Sequence, residues 1–377
     1  MKIRAIRAIG LRGATPKGGW AIELRPDDSV HTLLAVHTDE DIVGIGSVYT
    51  GRDLVRAAIG ALEPYWEGES ALEPERVSEK LHQASFWLGR GGSLTHTISG
   101  IDIALWDILG QATGQPVGRL LGGRYRERVR PYASLLMDDP PLLADNIARL
   151  RDLGFRAFKI GWGPFGRVDA ATDEAIVRAA REAAGDAALM VDAGGSDAFW
   201  AGDYKWALRT AHMLATYDVA WFEEPLRPDA LHDYAELRRH APVPISGGEV
   251  LTRRQSYLPW LTGHALDIVQ PDATKVGGLS EMRRIGWMAD DHGIRLIPHG
   301  WNTAVGLAAD LHLASALPGT DHVEYMTGSA YIDDIAAGGW RLDADGMLPI
   351  PSGPGLGLSL DPDAVARYSG GESLWAA

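Results

Sequence analysis

The chain has 377 residues, 46% of them hydrophobic and 23% charged, which is the balance of a soluble globular protein long enough for one large domain or two ordinary ones. A net charge of −14 without a long basic run argues against nucleic acid as a partner. The absence of cysteine excludes disulfides, thiolate catalysis and zinc–thiolate sites.

Met1-Lys2-Ile3-Arg4-Ala5-Ile6-Arg7 carries charges where a signal peptide needs an apolar stretch. No apolar run approaches the roughly 18 residues of a membrane helix. A cytoplasmic protein without a membrane span is expected. The first 60 residues read as strands and turns. Ile22-Glu23-Leu24 and His31 to His37 alternate or run apolar, and Thr38-Asp39-Glu40-Asp41 reads as a turn before Ile42-Val43-Gly44. Two Gly-rich segments interrupt them, Lys17-Gly18-Gly19-Trp20 and Gly46-Ser47-Val48-Tyr49-Thr50-Gly51-Arg52-Asp53. From about 54 to 123 the pattern is helical, with Ile98, Ile101, Ala104, Leu105 and Ile108 on one buried face and Gly122-Gly123 as the stop.

From about 130 to 345 short apolar runs alternate with helical stretches: Phe158-Lys159-Ile160, Leu189-Met190-Val191-Asp192, Val219 to Glu223, Ile268-Val269-Gln270, Ile294 to Ile297. Such repetition implies a parallel sheet covered on both faces, and the number of repeats fits a closed barrel. The expected organisation is an N-terminal α+β cap (1–125), a barrel (126–348) and a Pro- and Gly-rich tail (349–377) returning to the cap.

Single polar residues end the apolar runs: Asp192, Glu223, Glu249, Asp272, His299 and Glu324, spaced 23 to 31 residues apart, one β/α unit each. The C-terminal ends of parallel barrel strands point to one face, so these groups converge. Three carboxylates from consecutive strands stay ionised together only around a cation. All-oxygen ligation with open positions suits Mg²⁺, and Asp192, Glu223 and Glu249 are the expected ligands. A catalytic imidazole needs a partner that sets its tautomer, which Asp272 offers to His299. Read singly, each of these is an ordinary helix cap, solvated carboxylate or structural histidine; the regular spacing is what argues for a site.

Ser99-Gly100-Ile101-Asp102-Ile103-Ala104-Leu105-Trp106-Asp107-Ile108, Gly114-Gln115-Pro116-Val117 and Leu120-Leu121-Gly122-Gly123 resemble a helix signature of the mandelate racemase subgroup of the enolase superfamily. Phe222-Glu223-Glu224-Pro225, Gly247-Gly248-Glu249, Pro271-Asp272-Ala273-Thr274-Lys275-Val276-Gly277-Gly278 and Pro298-His299-Gly300-Trp301-Asn302 resemble its barrel motifs. The resemblance implies a cap over a (β/α)7β barrel, Mg²⁺ on Asp192, Glu223 and Glu249, a paired Asp272 and His299, and Glu324 at the far side of the substrate. It implies a structural role for Glu224, and a dimer or octamer.

One motif departs. Many subgroup members carry Lys-x-Lys at the end of the second barrel strand. Here Phe158-Lys159-Ile160-Gly161-Trp162-Gly163 keeps Lys159 and has glycine where the second lysine would stand. The other lysines are Lys2, Lys17, Lys80, Lys205 and Lys275. Lys275 stands three residues after Asp272, not at the position where the muconate-lactonising and dipeptide-epimerase branches carry a base. Racemisation normally needs an acid–base group on each face. A single base points to β-elimination of water from a sugar acid (aldonate or aldarate). His299 takes the α-proton, Mg²⁺ and Lys159 stabilise the enediolate, and the product is a 2-keto-3-deoxy acid. The alternatives are an epimerase using Lys159 with His299, a sugar-lactone cycloisomerase, and a non-catalytic metabolite binder. The two Gly-rich segments resemble the flexible loops that close over substrate in this family, and Lys17, Trp20, Tyr49, Arg52 and Asp53 on them, with Trp301 and Asn302, are the expected substrate contacts.

Overall fold

A computed structural model describes residues 1–13, 30–197 and 199–375. Lys17, Trp20 and the expected strand Ile22-Glu23-Leu24 lie outside the described residues. The chain opens with three strands, β1 (Ile3–Leu11), β2 (His31–Thr38) and β3 (Val43–Val48), paired antiparallel in the order β1-β2-β3. The turn at Thr38–Asp41 is closed by the Thr38 hydroxyl, which donates to the carbonyls of Glu40 and Ile42 at 2.9 and 2.8 Å. Helices α1 (Arg52–Trp66), α2 (Pro74–Ala84) and α3 (Gly92–Thr113) follow.

The second Gly-rich segment is not the loop expected. Gly46, Ser47 and Val48 belong to β3, and Arg52 already begins α1. The glycines serve a crossing: α3 lies so close on β3 that a Cβ on Gly44 would sit 2.1 Å from the Ala104 carbonyl oxygen, and one on Gly46 2.0 Å from that of Gly100. Gly100 returns the requirement, since its Cβ would meet Val48 at 2.4 Å.

Eight parallel strands follow: β4 (Arg128–Leu136), β5 (Ala157–Gly161), β6 (Ala188–Asp192), β7 (Val219–Glu223), β8 (Ile245–Gly247), β9 (Ile268–Val269), β10 (Arg295–Leu296) and β11 (His322–Met326). They pair in the order β10-β9-β8-β7-β6-β5-β4-β11, with a helix in each of the seven connections. This curled parallel sheet is the (β/α)7β architecture that the resemblance implied. The tail runs back over the cap. Leu348–Pro349 pairs with β4, the Arg12 amide donates to the Tyr368 carbonyl at 3.0 Å, and a ring nitrogen of His37 meets the Leu374 carbonyl at 3.0 Å. No described helix is long and apolar enough to cross a membrane.

Two features of the barrel place the site. First, Tyr132, Ala157, Met190, Trp221, Ile268 and Ile297 form one buried apolar cluster, a plug across the barrel interior. Side chains two positions along a strand share a face. The next inward layer is therefore Ser134, Lys159, Asp192, Glu223, Gln270 and His299: each polar residue stands two positions after a plug residue.

Second, α3 locks the cap to the barrel. Asp102 is fully buried and accepts from the Ser78 hydroxyl at 2.6 Å, the Ser280 amide at 3.0 Å and the Ser280 hydroxyl. Asp107 accepts from the amides of Ile45 and Leu356 at 3.0 and 2.9 Å, tying α3 to β3 and to the tail. Gly278, at φ +81°, leaves room for Asp102, which a Cβ there would meet at 2.3 Å. The helix signature and the Gly277-Gly278 pair are thus two halves of one joint.

Gly46→Ala is expected to cost about 2–3 kcal/mol, because the clash is with backbone. Gly60→Ala, on the open face of α1 with nothing within 4 Å, should stabilise by about 0.5–1 kcal/mol. Urea denaturation of the two variants checks the pair.

Candidate active site

The polar layer opens into a cavity of about 230 Å³ lined by Tyr49, Ser134, Lys159, Gly161, Trp162, Asp192, Glu249, Lys275, His299, Trp301 and Glu324, among others. Lys159 is buried on β5 among carboxylates. Its Nζ lies 2.6 Å from Glu223 Oε1, 3.0 Å from Glu324 Oε1 and 3.7 Å from Asp192 Oδ2. Burial works against its charge, but Glu223 and Glu324 outweigh it and hold the pKa well above the ordinary lysine range. Lys159 is therefore ion-paired on two sides. Glu223 is further gripped at Oε2 by Trp221 Nε1 (3.1 Å) and Gln270 Nε2 (2.7 Å). Glu324 accepts from the Gly300 amide at 2.7 Å. Burial would raise its pKa, yet Lys159 and His299 pull it down to about 2.

His299 and Asp272 meet as expected, Nδ1 to Oδ2 at 2.7 Å. The other oxygen of Asp272 accepts from the amide and hydroxyl of Thr274, both at 2.6 Å. Burial works to raise Asp272, but the His299 bond and the Lys275 charge more than offset it, so it stays ionised. Nε2 of His299 lies 3.1 Å from Glu249 Oε2. Burial disfavours the imidazolium, but Glu249 and Asp272 prevail and keep the pKa above 6.5.

Asp192, Glu223 and Glu249 stand at the ends of successive strands, but each is engaged by protein. Asp192 Oδ1 accepts from the Gly194 amide at 2.7 Å, Glu223 faces Lys159, and Glu249 faces His299 and, at 3.7 Å, Lys275. Among the described residues no three His, Asp or Glu side chains stand together as a preformed metal cage. The charge balance is nonetheless that of a cation site. Six carboxylates, Asp192, Glu223, Glu224, Glu249, Asp272 and Glu324, share two lysines and one imidazole. Burial, then the charge of Glu223, pushes Asp192 up to about 8, and burial with Glu249 and Asp192 drives Glu224 well above the carboxylate range. An all-oxygen donor set short of positive charge fits a hard divalent ion.

Of the expected substrate contacts, Tyr49 and Trp301 line the cavity. Arg52 does not; it pairs with Asp53 and with Glu372 of the tail, at 2.9 and 3.0 Å. Asn302 is buried away from the cavity lining, donating to Asp310 at 3.1 Å. Both depart from expectation because the segments that carry them are ordered: Arg52 starts a helix, and Asn302 precedes the helix Ala304–Ala316. Lys275, Trp162 and Ser134 line the cavity without having been proposed for it. The two-residue step from the plug would have found Ser134. Trp162 follows from Gly161 and takes a left-handed φ of +63°, a strain that a bulky residue adopts where structure demands it. At Gly161 a Cβ would sit 3.0 Å from that of Asp192, so a lysine there would crowd the first expected ligand.

The comparisons agree with this architecture. Residues 26–122 match the mandelate racemase / muconate lactonizing enzyme N-terminal domain, and residues 142–364 match the enolase C-terminal domain-like family. The chain belongs to the mandelate racemase subgroup of the enolase superfamily. It is 34% identical to D-galactarolactone cycloisomerase of Agrobacterium fabrum, over 98% of this chain and 99% of the relative. It is 33% identical to D-xylonate dehydratase of Haloferax volcanii, over 91% and 86%. The crystal structure of the 3,6-anhydro-D-galactonate cycloisomerase from Zobellia galactanivorans superposes with TM-score 0.87 at 29% identity, covering 98% of this chain and 99% of that one. A racemase from Streptomyces coelicolor, solved with bound magnesium, superposes with TM-score 0.85 at 27% identity, covering 97% and 99%.

Lys159→Met leaves Glu223 and Glu324 buried without their cation. A loss of about 3–5 kcal/mol is expected in protein stripped of divalent ions, read by chemical denaturation in EDTA.

Proposed function

We propose that the protein is a Mg²⁺-dependent dehydratase of a sugar acid, an aldonate or aldarate. The observation that carries this reading is the His299–Asp272 pair facing a cavity whose opposite wall bears a lysine neutralised by carboxylates and a glycine, Gly161, in place of a second base. Asp192, Glu223 and Glu249 would hold Mg²⁺, which when bound supplies Lewis-acid stabilisation of the substrate carboxylate.

The chain's own residues do the rest. Asp272 accepts a hydrogen bond from Nδ1–H of His299, which leaves Nε2 as the reacting nitrogen. With Glu249 turned to a bound cation, its hold on the His299 proton would weaken, which would suit Nε2 to the role of base. His299 removes the α-proton. Lys159 offsets the charge that develops on the carboxylate. His299, now carrying that proton, returns it to the departing β-hydroxyl. The α-C–H and β-C–O bonds break, a C=C bond forms, water leaves, and the enol tautomerises to the 2-keto-3-deoxy acid. Lys159 Nζ is already engaged by Glu223 and Glu324 at 2.6 and 3.0 Å, which suits it to neutralise charge rather than to act as an epimerase's second base.

A second reading is supported by the cycloisomerases among the relatives. In it the same α-proton is lost and the departing oxygen belongs to a ring of the substrate, so the ring opens and no water is released. Incubation with Mg²⁺ and a panel of aldonates, aldarates and their lactones, read by mass spectrometry and NMR, separates the two. Loss of one water is expected; unchanged mass with ring opening establishes the second reading. α-Proton exchange without either product would end both.

His299→Asn should lower turnover by at least about 10³-fold while substrate affinity stays within a few-fold, and Asp272→Asn by about 10²–10⁴-fold. Turnover and calorimetric binding with the active acid check both.

A further inference from the structure

Lys275 has no place in the chemistry just described, yet it is built into the cavity. It follows β9 on a turn in which its amide donates to the Asp272 carbonyl at 3.0 Å. The residue is 6% exposed and lines the cavity. Nζ stands 4.3 Å over the ring of Tyr49. The nearest carboxylate oxygens, on Glu249 and Asp272, lie 3.7 and 3.9 Å away, beyond hydrogen-bond reach. Among the described residues the ammonium makes no hydrogen bond. An ammonium has three donors, and on the cavity wall these are open to a bound acceptor. Lys159 is the contrast, with its donors already taken at 2.6 and 3.0 Å.

The topology sets the two apart. β5 and β9 are four places apart in the eight-strand order, so they stand on opposite walls. His299 follows β10, next to β9, so the base and Lys275 share a wall.

We propose that Lys275 is a substrate-binding residue that donates to an acceptor oxygen on the part of the substrate remote from the reacting carboxylate. This rests on the functional reading above, in which that carboxylate lies towards Lys159. The acceptor is a hydroxyl if the substrate is an aldonate and a second carboxylate if it is an aldarate. Tyr49, at the end of β3, fixes the height of the ammonium, so the cap takes part in recognition through a residue of the barrel.

The test is calorimetric titration of wild type, Lys275→Met and Lys275→Arg with C5 and C6 aldonates and aldarates in Mg²⁺, thermal melts confirming that each variant is folded. A charged hydrogen bond corresponds to about 10–100-fold in affinity. Lys275→Met should weaken binding by that factor, and Lys275→Arg should recover part of it. A loss confined to aldarates identifies a carboxylate acceptor, and an equal loss for both classes a hydroxyl. Unchanged affinity in both variants overturns the assignment, as does a wild type that binds none of the acids. An acid that binds through Lys275 but neither reacts nor exchanges its α-proton would instead overturn the functional reading alone.

Discussion

The site depends on the alternation of side chains along barrel strands. With Ala157, Met190, Trp221, Ile268 and Ile297 packed in the plug, the residues two positions on have no choice of face. Lys159, Asp192, Glu223, Gln270 and His299 are carried inward as a layer, dry below and open above. The plug also reaches upward. Trp221 donates to Glu223, and Tyr132 places its ring 5.5 Å beneath the Lys159 ammonium. Apolar packing thus fixes the positions of charged groups that could not assemble unaided, since like charges in a buried layer repel.

Within that layer the surplus of negative charge organises the chemistry. Two ion-paired groups emerge on opposite walls. On one, Lys159 is clamped by Glu223 and Glu324. On the other, His299 lies between Asp272 and Glu249. Gly161 leaves the space beside Lys159 to Asp192. On the function proposed above, this asymmetry of one base facing one cation favours elimination over racemisation.

The cap is coupled to this layer through α3. The mutual glycine contacts of α3 with β3 hold the strand end that delivers Tyr49, and Asp102 fastens the same helix beside Gly277-Gly278, three residues beyond Lys275 at its far glycine. Tyr49 and Lys275 therefore meet at a seam fixed from both sides. Buried carboxylates bonded to hydroxyls and amides, as Asp102 is, contribute specificity of docking at the cost of desolvation.

The local sequence was enough for the alternation of strands and helices, the ends of the barrel strands and the pairing of His299 with Asp272, because period and spacing are local properties of the chain; the missing second lysine was legible only against the family motif. It misread Gly46 to Arg52 as a loop, since glycine marks either a turn or a close backbone approach, and only the crossing of α3 distinguishes them. Arg52 and Asn302, placed at the substrate by position, are taken by Glu372 and Asp310, partners distant in the chain or hidden in a helix. Tertiary structure alone decided that Lys159 is saturated and Lys275 is not. Two lysines look alike as letters; their difference is which acceptors the curled sheet brings within 3 Å and which it holds at nearly 4 Å.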